Sequence, residues 1–212
     1  PVSNREYTKM WIRTLSLQNI SSLVIVYENS NGFTETTCDA ALQFADELRD
    51  VQASANEILN ITFNNSTVTD DFYEEVVQKT KDRGIQAVIG CVFPAEGKKL
   101  VDAFHDQQYP LKAFFLTTGP TKKKWVESFR PRWHARDIFS AAQWHRDMKY
   151  PDPIFGDTQN YTIQYEKKYE GQHPTYNAAA ASAVILTLTE AIQNAFKHCD
   201  ISKTDGDADE LL

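Results

Sequence analysis

The chain has 212 residues, 42% of them hydrophobic and 24% charged, which allows one large domain or one and a half small ones around a sizeable core. Its formal net charge is −7, with 22 Lys and Arg against 29 Asp and Glu. That balance argues against a nucleic-acid binder, because phosphate contacts need clustered cations.

Residues 5–17 predict an amphipathic helix whose face carries Tyr7, Met10, Trp11, Thr14, Leu15 and Leu17. A strand follows at 22–27, then a helix at 33–50 with Phe33, Thr37, Ala41, Phe44, Ala45 and Leu48 inward. A strand is predicted at 56–63, and a helix to 82 starts from Thr69 as N-cap and ends at Gly84. Strand 85–91, helix 95–107, strand 112–117, a short helix near 121–129 and strand 137–142 complete the alternation. Four of these strands carry short apolar runs: Leu23-Val24-Ile25-Val26-Tyr27, Ala87-Val88-Ile89-Gly90-Cys91, Ala113-Phe114-Phe115-Leu116 and the less pure Ile138-Phe139-Ser140-Ala141-Ala142. Near-continuous apolar strands belong to a parallel sheet covered by helices on both faces. After Trp144 the character changes, with a turn-rich stretch at 150–156 and two consecutive helices, 157–169 and 175–197. No apolar run reaches the ~20 residues of a membrane span. Residues 178–188, interrupted by Ser182 and Thr187, read as a buried helix. The start, Pro1-Val2-Ser3-Asn4-Arg5-Glu6, is polar and lacks Met, so no signal peptide is visible and the chain reads as cut from something longer.

The N-x-Ser/Thr pattern occurs at Asn19, Asn60, Asn64, Asn65 and Asn160, where chance would give about one or two. The excess favours a secreted, glycosylated surface. Three cysteines, Cys38, Cys91 and Cys199, lack the spacing of a metal site or redox pair. Cys38 and Cys91 read as free buried thiols, and Cys199 as the one to pair, with a cysteine elsewhere.

Chemistry is thin along the chain. There is no GxSxG elbow, no GxGxxG or GxxxxGK[ST] cradle and no HExxH, so no catalytic, metal or cofactor site is expected. His145 and Asp147, close in sequence, read as exposed loop residues before they read as an acid/base pair. Lys122-Lys123-Lys124 reads as a solvated helix start. Asp205-x-Asp207-x-Asp209 opens like a calcium loop but has Glu210 where Gly is needed. Binding is better supported. In parallel sheets ligands sit outside the carboxyl ends of the strands. Those ends offer Asn29, Ser30, Asn31 and Phe33 before a helix N-terminus that favours a carboxylate, then Val92 and Phe93, then Thr117 and Thr118, and finally Gln143 and Trp144.

Four segments resemble the type I periplasmic-binding-protein family, whose members include branched-chain amino-acid-binding proteins and receptor ligand-binding regions. They are Trp11-Ile12-Arg13 through Val24-Ile25-Val26-Tyr27-Glu28-Asn29-Ser30-Asn31-Gly32-Phe33, Thr69 through Gln86-Ala87-Val88-Ile89, Leu111-Lys112-Ala113-Phe114-Phe115-Leu116-Thr117-Thr118-Gly119, and Tyr161 through Pro174 with the Ala-rich helix after it. Glu170 before Gly171, and Ala181-Ser182-Ala183 where the family has Tyr-Asp-Ala, depart from the pattern. The resemblance implies a three-layer α/β/α lobe with a mostly parallel sheet at 1–144, and helices at 145–212 that belong to the partner lobe. It also implies a two-lobed clamp that holds a small ligand between hinged lobes, and with the sequon excess and acidic charge it favours a non-enzymatic, extracellular sensor region of a membrane receptor for an amino-acid-like or small carboxylate ligand. The alternative is a free periplasmic solute-binding protein of a transporter, and an α/β enzyme is third. Receptor dimerisation would run through the partner lobe, membrane attachment through segments outside this chain, and no cofactor or nucleic acid would take part.

Overall fold

The computed structural model describes residues 3–51, 57–149, 151–152 and 154–198. Cys199, the acidic tail at 205–210, and Tyr150 and Pro153 of the turn-rich stretch lie outside them, as does the side chain of Leu48. The chain divides into two compact units, Pro1–Ala141 and Ala142–Leu212.

The first unit is an α/β/α layer. Its strands are β1 (Ser22–Glu28), β2 (Glu57–Phe63), β3 (Ala87–Cys91), β4 (Ala113–Leu116) and β5 (Ile138–Phe139). They pair in parallel throughout, in the order β2-β1-β3-β4-β5. Its helices are α1 (Lys9–Leu17), α2 (Gly32–Val51), α3 (Asp70–Asp82), α4 (Pro94–Asp106) and α5 (Lys123–Glu127).

The apolar runs have a direct physical reason. Every residue of β1 is buried, because side chains on both of its faces meet helices. Val24 and Val26 join Val76 and Val77 of α3 and Leu100 and Val101 of α4. Leu23, Ile25 and Tyr27 point the other way and join Ile12 of α1 with Cys38 and Ala41 of α2. The edge strand β2 buries only Ile61 and Phe63 fully and alternates accordingly. Gly90 in β3 has a packing reason to lack a side chain, since a Cβ there would come within 2.6 Å of the Leu116 side chain on β4. Gly84 ends α3 at φ 61°, the conformation expected after a helix end.

Two expectations are corrected in this unit, and the Thr69 cap holds in backbone alone. The buried face of α1 is Ile12 and Leu15, whereas Met10 and Leu17 are 67% and 72% exposed. A 3₁₀ turn at Asn4–Glu6 precedes α1, so the helical phase is set from Lys9 rather than from residue 5. Thr69 has the extended backbone of an N-cap, but its side chain makes no capping bond. Cys38 and Cys91 are not free thiols: they form a disulfide, both fully buried, that ties α2 to the end of β3.

The second unit pairs β6 (Pro151–Asp152) with β7 (Gly156–Asp157) in an antiparallel ribbon, followed by α6 (Thr158–Lys168) and α7 (Tyr176–His198). Asp157 caps α6 by accepting a hydrogen bond from the Asn160 amide at 2.7 Å. Tyr161 is buried among Trp144 and Phe155, with ring centroids at 5.7 and 5.0 Å. The helix expected to be buried is instead largely uncovered: on α7, Val184, Ile185, Leu188, Ile192 and Phe196 are between 47% and 66% exposed. The stretch Tyr176–Lys197 is also long and apolar enough, by length and composition, to cross a membrane, which counting uninterrupted apolar residues did not reveal.

Candidate functional site

In the first unit the order β2-β1-β3 means that the chain leaves β1 toward one side of the sheet and leaves β3 toward the other. The crevice between the carboxyl ends of β1 and β3 is the switch point at which such sheets bind ligands. Three connections meet there or beside it: Asn29–Asn31 after β1, Val92–Phe93 after β3, and Thr117–Thr118 after β4.

The loop after β1 is organised by its own side chains. Asn31 Oδ1 accepts from the Phe33 amide at 2.9 Å, so the first turn of α2 is capped by its own residue. The Thr34 hydroxyl faces the carbonyls of Glu28 and Asn31 at 2.6 and 2.8 Å. Ser30 Oγ donates to Glu28 Oε1 at 2.6 Å. Asn29 and Ser30 are exposed, and Phe33 is half-buried with its ring edge-on to Tyr7 at 6.0 Å.

The loops after β3 and β4 are clasped to each other. Thr118 Oγ1 donates to the Val92 carbonyl at 2.6 Å, and Trp125 Nε1 donates to the Pro94 carbonyl at 2.7 Å. Gly119, at φ 105°, lets the backbone pass the Trp125 ring, which a Cβ would approach to 2.8 Å. Thr117 is buried and its hydroxyl faces the carbonyls of Gly90 and Val92, both at 3.4 Å.

The structure thus sorts the residues expected to bind. Asn29, Ser30, Asn31, Phe33 and Phe93 stand at the switch-point edge. Val92 is 1% exposed and packs in the core, so its side chain does not face a ligand. The hydroxyls of Thr117 and Thr118 are occupied in holding the loops together. Trp144 belongs to the second unit. There it borders an apolar cavity of 640 Å³ with Phe155, Tyr161, Ala183 and Leu186. His145 and Asp147, 3.4 Å apart, are 60% and 77% exposed, a solvated pair. Lys122, Lys123 and Lys124 are exposed at the start of α5.

Sequence reasoning passed over Glu28, which looks like a polar turn residue but is 5% exposed. Its Oε2 has no hydrogen-bond partner among the described residues. Tyr73 on α3, 3% exposed, has a hydroxyl in the same condition. Burial, then the nearby carboxylates of Glu96, Asp70 and Glu28, push the Tyr73 phenol up to about 12. The remaining signal in the sequence was position alone: Glu28 closes the most apolar strand. Among the described residues no group of three or more His, Cys, Asp or Glu is arranged to hold a metal.

No family model and no curated protein matches the sequence. Solved structures do match the fold. A leucine-binding protein from Thermotoga maritima superposes with TM-score 0.67 at 11% identity, over 91% of this chain and 50% of that one. A substrate-binding protein of an ABC transporter from Desulfitobacterium hafniense, in complex with Leu, gives TM-score 0.65 at 18% identity, over 91% and 50%. A fatty-acid ABC transporter substrate-binding protein from Thermomonospora curvata gives 0.63 at 14%, over 91% and 48%. The chain has the type I periplasmic-binding fold. It spans about half the length of these structures, as one lobe of the type I fold does. The type I neighbours are ligand-binding proteins rather than enzymes.

Proposed function

We propose that residues 3–141 form one jaw of a two-lobed clamp that holds a small, amino-acid-like or small carboxylate ligand at the switch-point edge. The observation that carries this reading is the type I fold over nine-tenths of the chain, matched to half of solute-binding proteins. It is joined by an edge that presents exposed Asn29 and Ser30 beside half-buried Asn31, Phe33 and Phe93. Helices α6 and α7 then belong to the partner lobe, whose remainder would cover the apolar face that α7 exposes. Hinge closure of the two lobes would complete the site.

The neighbours support a free solute-binding protein of a transporter, acting in a periplasm or at a cell surface. A specific observation favours the extracellular sensor region of a membrane receptor. All five N-x-Ser/Thr asparagines, Asn19, Asn60, Asn64, Asn65 and Asn160, are exposed and accessible to a glycan. The buried Cys38–Cys91 disulfide supports an oxidising compartment under either reading. In the receptor reading, signalling, dimerisation through the partner lobe and membrane attachment reside outside this chain.

Thermal melting of the polypeptide carrying both lobes, across amino acids, small carboxylates and fatty acids, tests the clamp. A true ligand at about a hundred times its Kd adds ~2.7 kcal/mol of stability and raises Tm. A flat response across the whole panel, with no small molecule found by mass spectrometry of the purified protein, sinks it. Glycosidase treatment of secreted protein separates the two settings: a mass loss at the five asparagines supports the receptor, and unmodified asparagines support the transporter protein.

A further inference from the structure

We propose that the amino-terminal edge of the sheet carries a second small-molecule site, which takes a small aromatic carboxylate. The site lies at the opposite end of the strands from the clamp edge and does not depend on the clamp reading.

A cavity of 420 Å³ opens between the C-terminal end of α4, the amino ends of β4 and β5, and a 3₁₀ turn at Arg132–Ala135. All five strands run in parallel, so this edge faces away from the loops after β1, β3 and β4. The volume lies toward the lower end of the range for small-molecule sites. The floor is core. Val101, Phe104 and Phe114 line it and are at most 8% exposed, with the two phenyl rings edge-on at 5.5 Å.

Trp133 lines the cavity from the 3₁₀ turn. Of the four tryptophans only this one is exposed, at 53%. Its ring stands edge-on to His105 of α4 at 5.2 Å. His105 Nε2 donates to the His134 carbonyl at 3.0 Å, and the two imidazoles stack with centroids 4.0 Å apart. The turn that carries the indole is thereby fastened to α4. A large apolar ring held open beside a cavity offers a flat face with little further ordering needed.

The rim is charged. Lys112 and Arg136 both line the cavity and both are exposed. Among the described residues neither side chain makes an ion pair or hydrogen bond. Other cations of this unit are committed: Lys81 bonds Gln107, Arg83 bonds Glu57, Lys98 bonds Asp102 and Lys99 bonds Asp70. One acid, Asp137, shares the rim, so a positive charge is left over. The C-terminal end of α4 would oppose an anion, but its last carbonyls are taken up. The amides of Gln107, Gln108 and Tyr109 donate to the carbonyls of Ala103, His105 and Phe104. The Tyr109 hydroxyl is committed too, to the Ile85 carbonyl at 2.9 Å. The charged donors left at the mouth are a guanidinium and an ammonium.

An apolar floor, an open indole and a cationic rim suit a ligand with an aromatic body and one carboxylate. A guanidinium can hold a carboxylate through two parallel N–H bonds, and an indole face stacks on an aromatic ring. A neutral aromatic would leave both cations unused. An aromatic amine would meet them as like charges.

The test uses the 212-residue chain. Indole-3-acetate and phenylacetate are titrated beside the matched phenylacetamide and phenethylamine. Binding is read by calorimetry and by the Trp133 indole N–H resonance, which Trp133→Phe identifies. The acids are expected to bind and to shift that resonance, the amide to bind about tenfold more weakly, and the amine to be weaker still. Arg136→Gln is expected to weaken both acids by about tenfold or more with Tm unchanged, and Lys112→Gln to weaken them by less. Trp133→Leu keeps an apolar side chain and is expected to weaken them by about threefold or more. All three side chains are exposed, so each variant is expected to fold. Acids that leave the Trp133 resonance unmoved, or that bind Arg136→Gln as tightly as wild type, overturn the site. Acid and amide of equal affinity overturn the carboxylate assignment. Acid binding that persists in both Arg136→Gln and Trp133→Leu belongs to the switch-point edge, which overturns this site and leaves the clamp standing.

Discussion

The hydroxyl of Tyr73 is a small group with a measurable signature. Its phenol is raised from the ordinary 10.0 to about 12, first by burial and then by the carboxylates around it. The folded protein therefore keeps this proton where the unfolded chain has released it. Stability from this group is complete below pH 10 and declines as pH rises from 10 toward 12. Tyr73→Phe removes the oxygen that has no partner, so urea denaturation at pH 7 is expected to show a gain of about 1 kcal/mol. Between pH 10 and 12 the variant should lose stability less steeply than wild type; equal slopes would show that the phenol titrates at its ordinary value. At this scale the sequence was least legible. Glu28 and Tyr73 matter because of what fails to face them, and no spacing rule reports a missing partner. Asn29, Ser30 and Asn31 were legible because strand-to-helix turns need such residues, whatever else they do.

Among the elements, β3 carries two constraints that neighbouring strands do not. Gly90 fits against Leu116, and Cys91 fixes the strand end to α2 through Cys38. The pair lies 53 residues apart, with β2 and α3 between. Its two members meet because β1 brings α2 over β3, a fact of topology that cysteine spacing does not contain. Loop-closure entropy for a ring of this size gives a stabilisation of about 4 kcal/mol. The double variant Cys38→Ala with Cys91→Ala is expected to lose that amount in chemical denaturation while remaining folded, and a loss under about 0.5 kcal/mol would show that the bond does not form. The strands themselves were readable from sequence for the opposite reason. A strand covered on both faces has no polar positions to blur the pattern, and β1, β3 and β4 are such strands. The phase of α1 was less readable, because Trp11, Ile12 and Leu15 share the helix with the equally apolar but exposed Met10 and Leu17.

For the whole molecule the division at Ala141 decides what can stand alone. Every buried core cluster among the described residues lies between Ile12 and Phe129, inside the first unit. Residues 1–141 expressed alone are therefore expected to melt cooperatively, with one transition by circular dichroism and by tryptophan fluorescence alike. A broad, non-coincident melt would mean that the first unit depends on the second. The second unit is the converse case. Its ribbon and α6 cover little of α7, whose row from Val184 to Phe196 is mostly open. Periodicity announced an apolar helix there but not what covers it, since a helix face carries no record of its partner.

The Cys38–Cys91 bond also marks time. The native fold brings its sulfurs together by laying β3 beside β1 with α2 packed over both, β2 and α3 lying between them in the chain. Oxidation is thus expected to be a late, long-range event in folding, and alkylating free thiols at intervals during refolding is expected to trap both thiols until the parallel sheet closes; a bond formed before the sheet would overturn that order. A chain released into a reducing environment would have to reach the same sheet without that latch, with α2 held over β3 by packing alone.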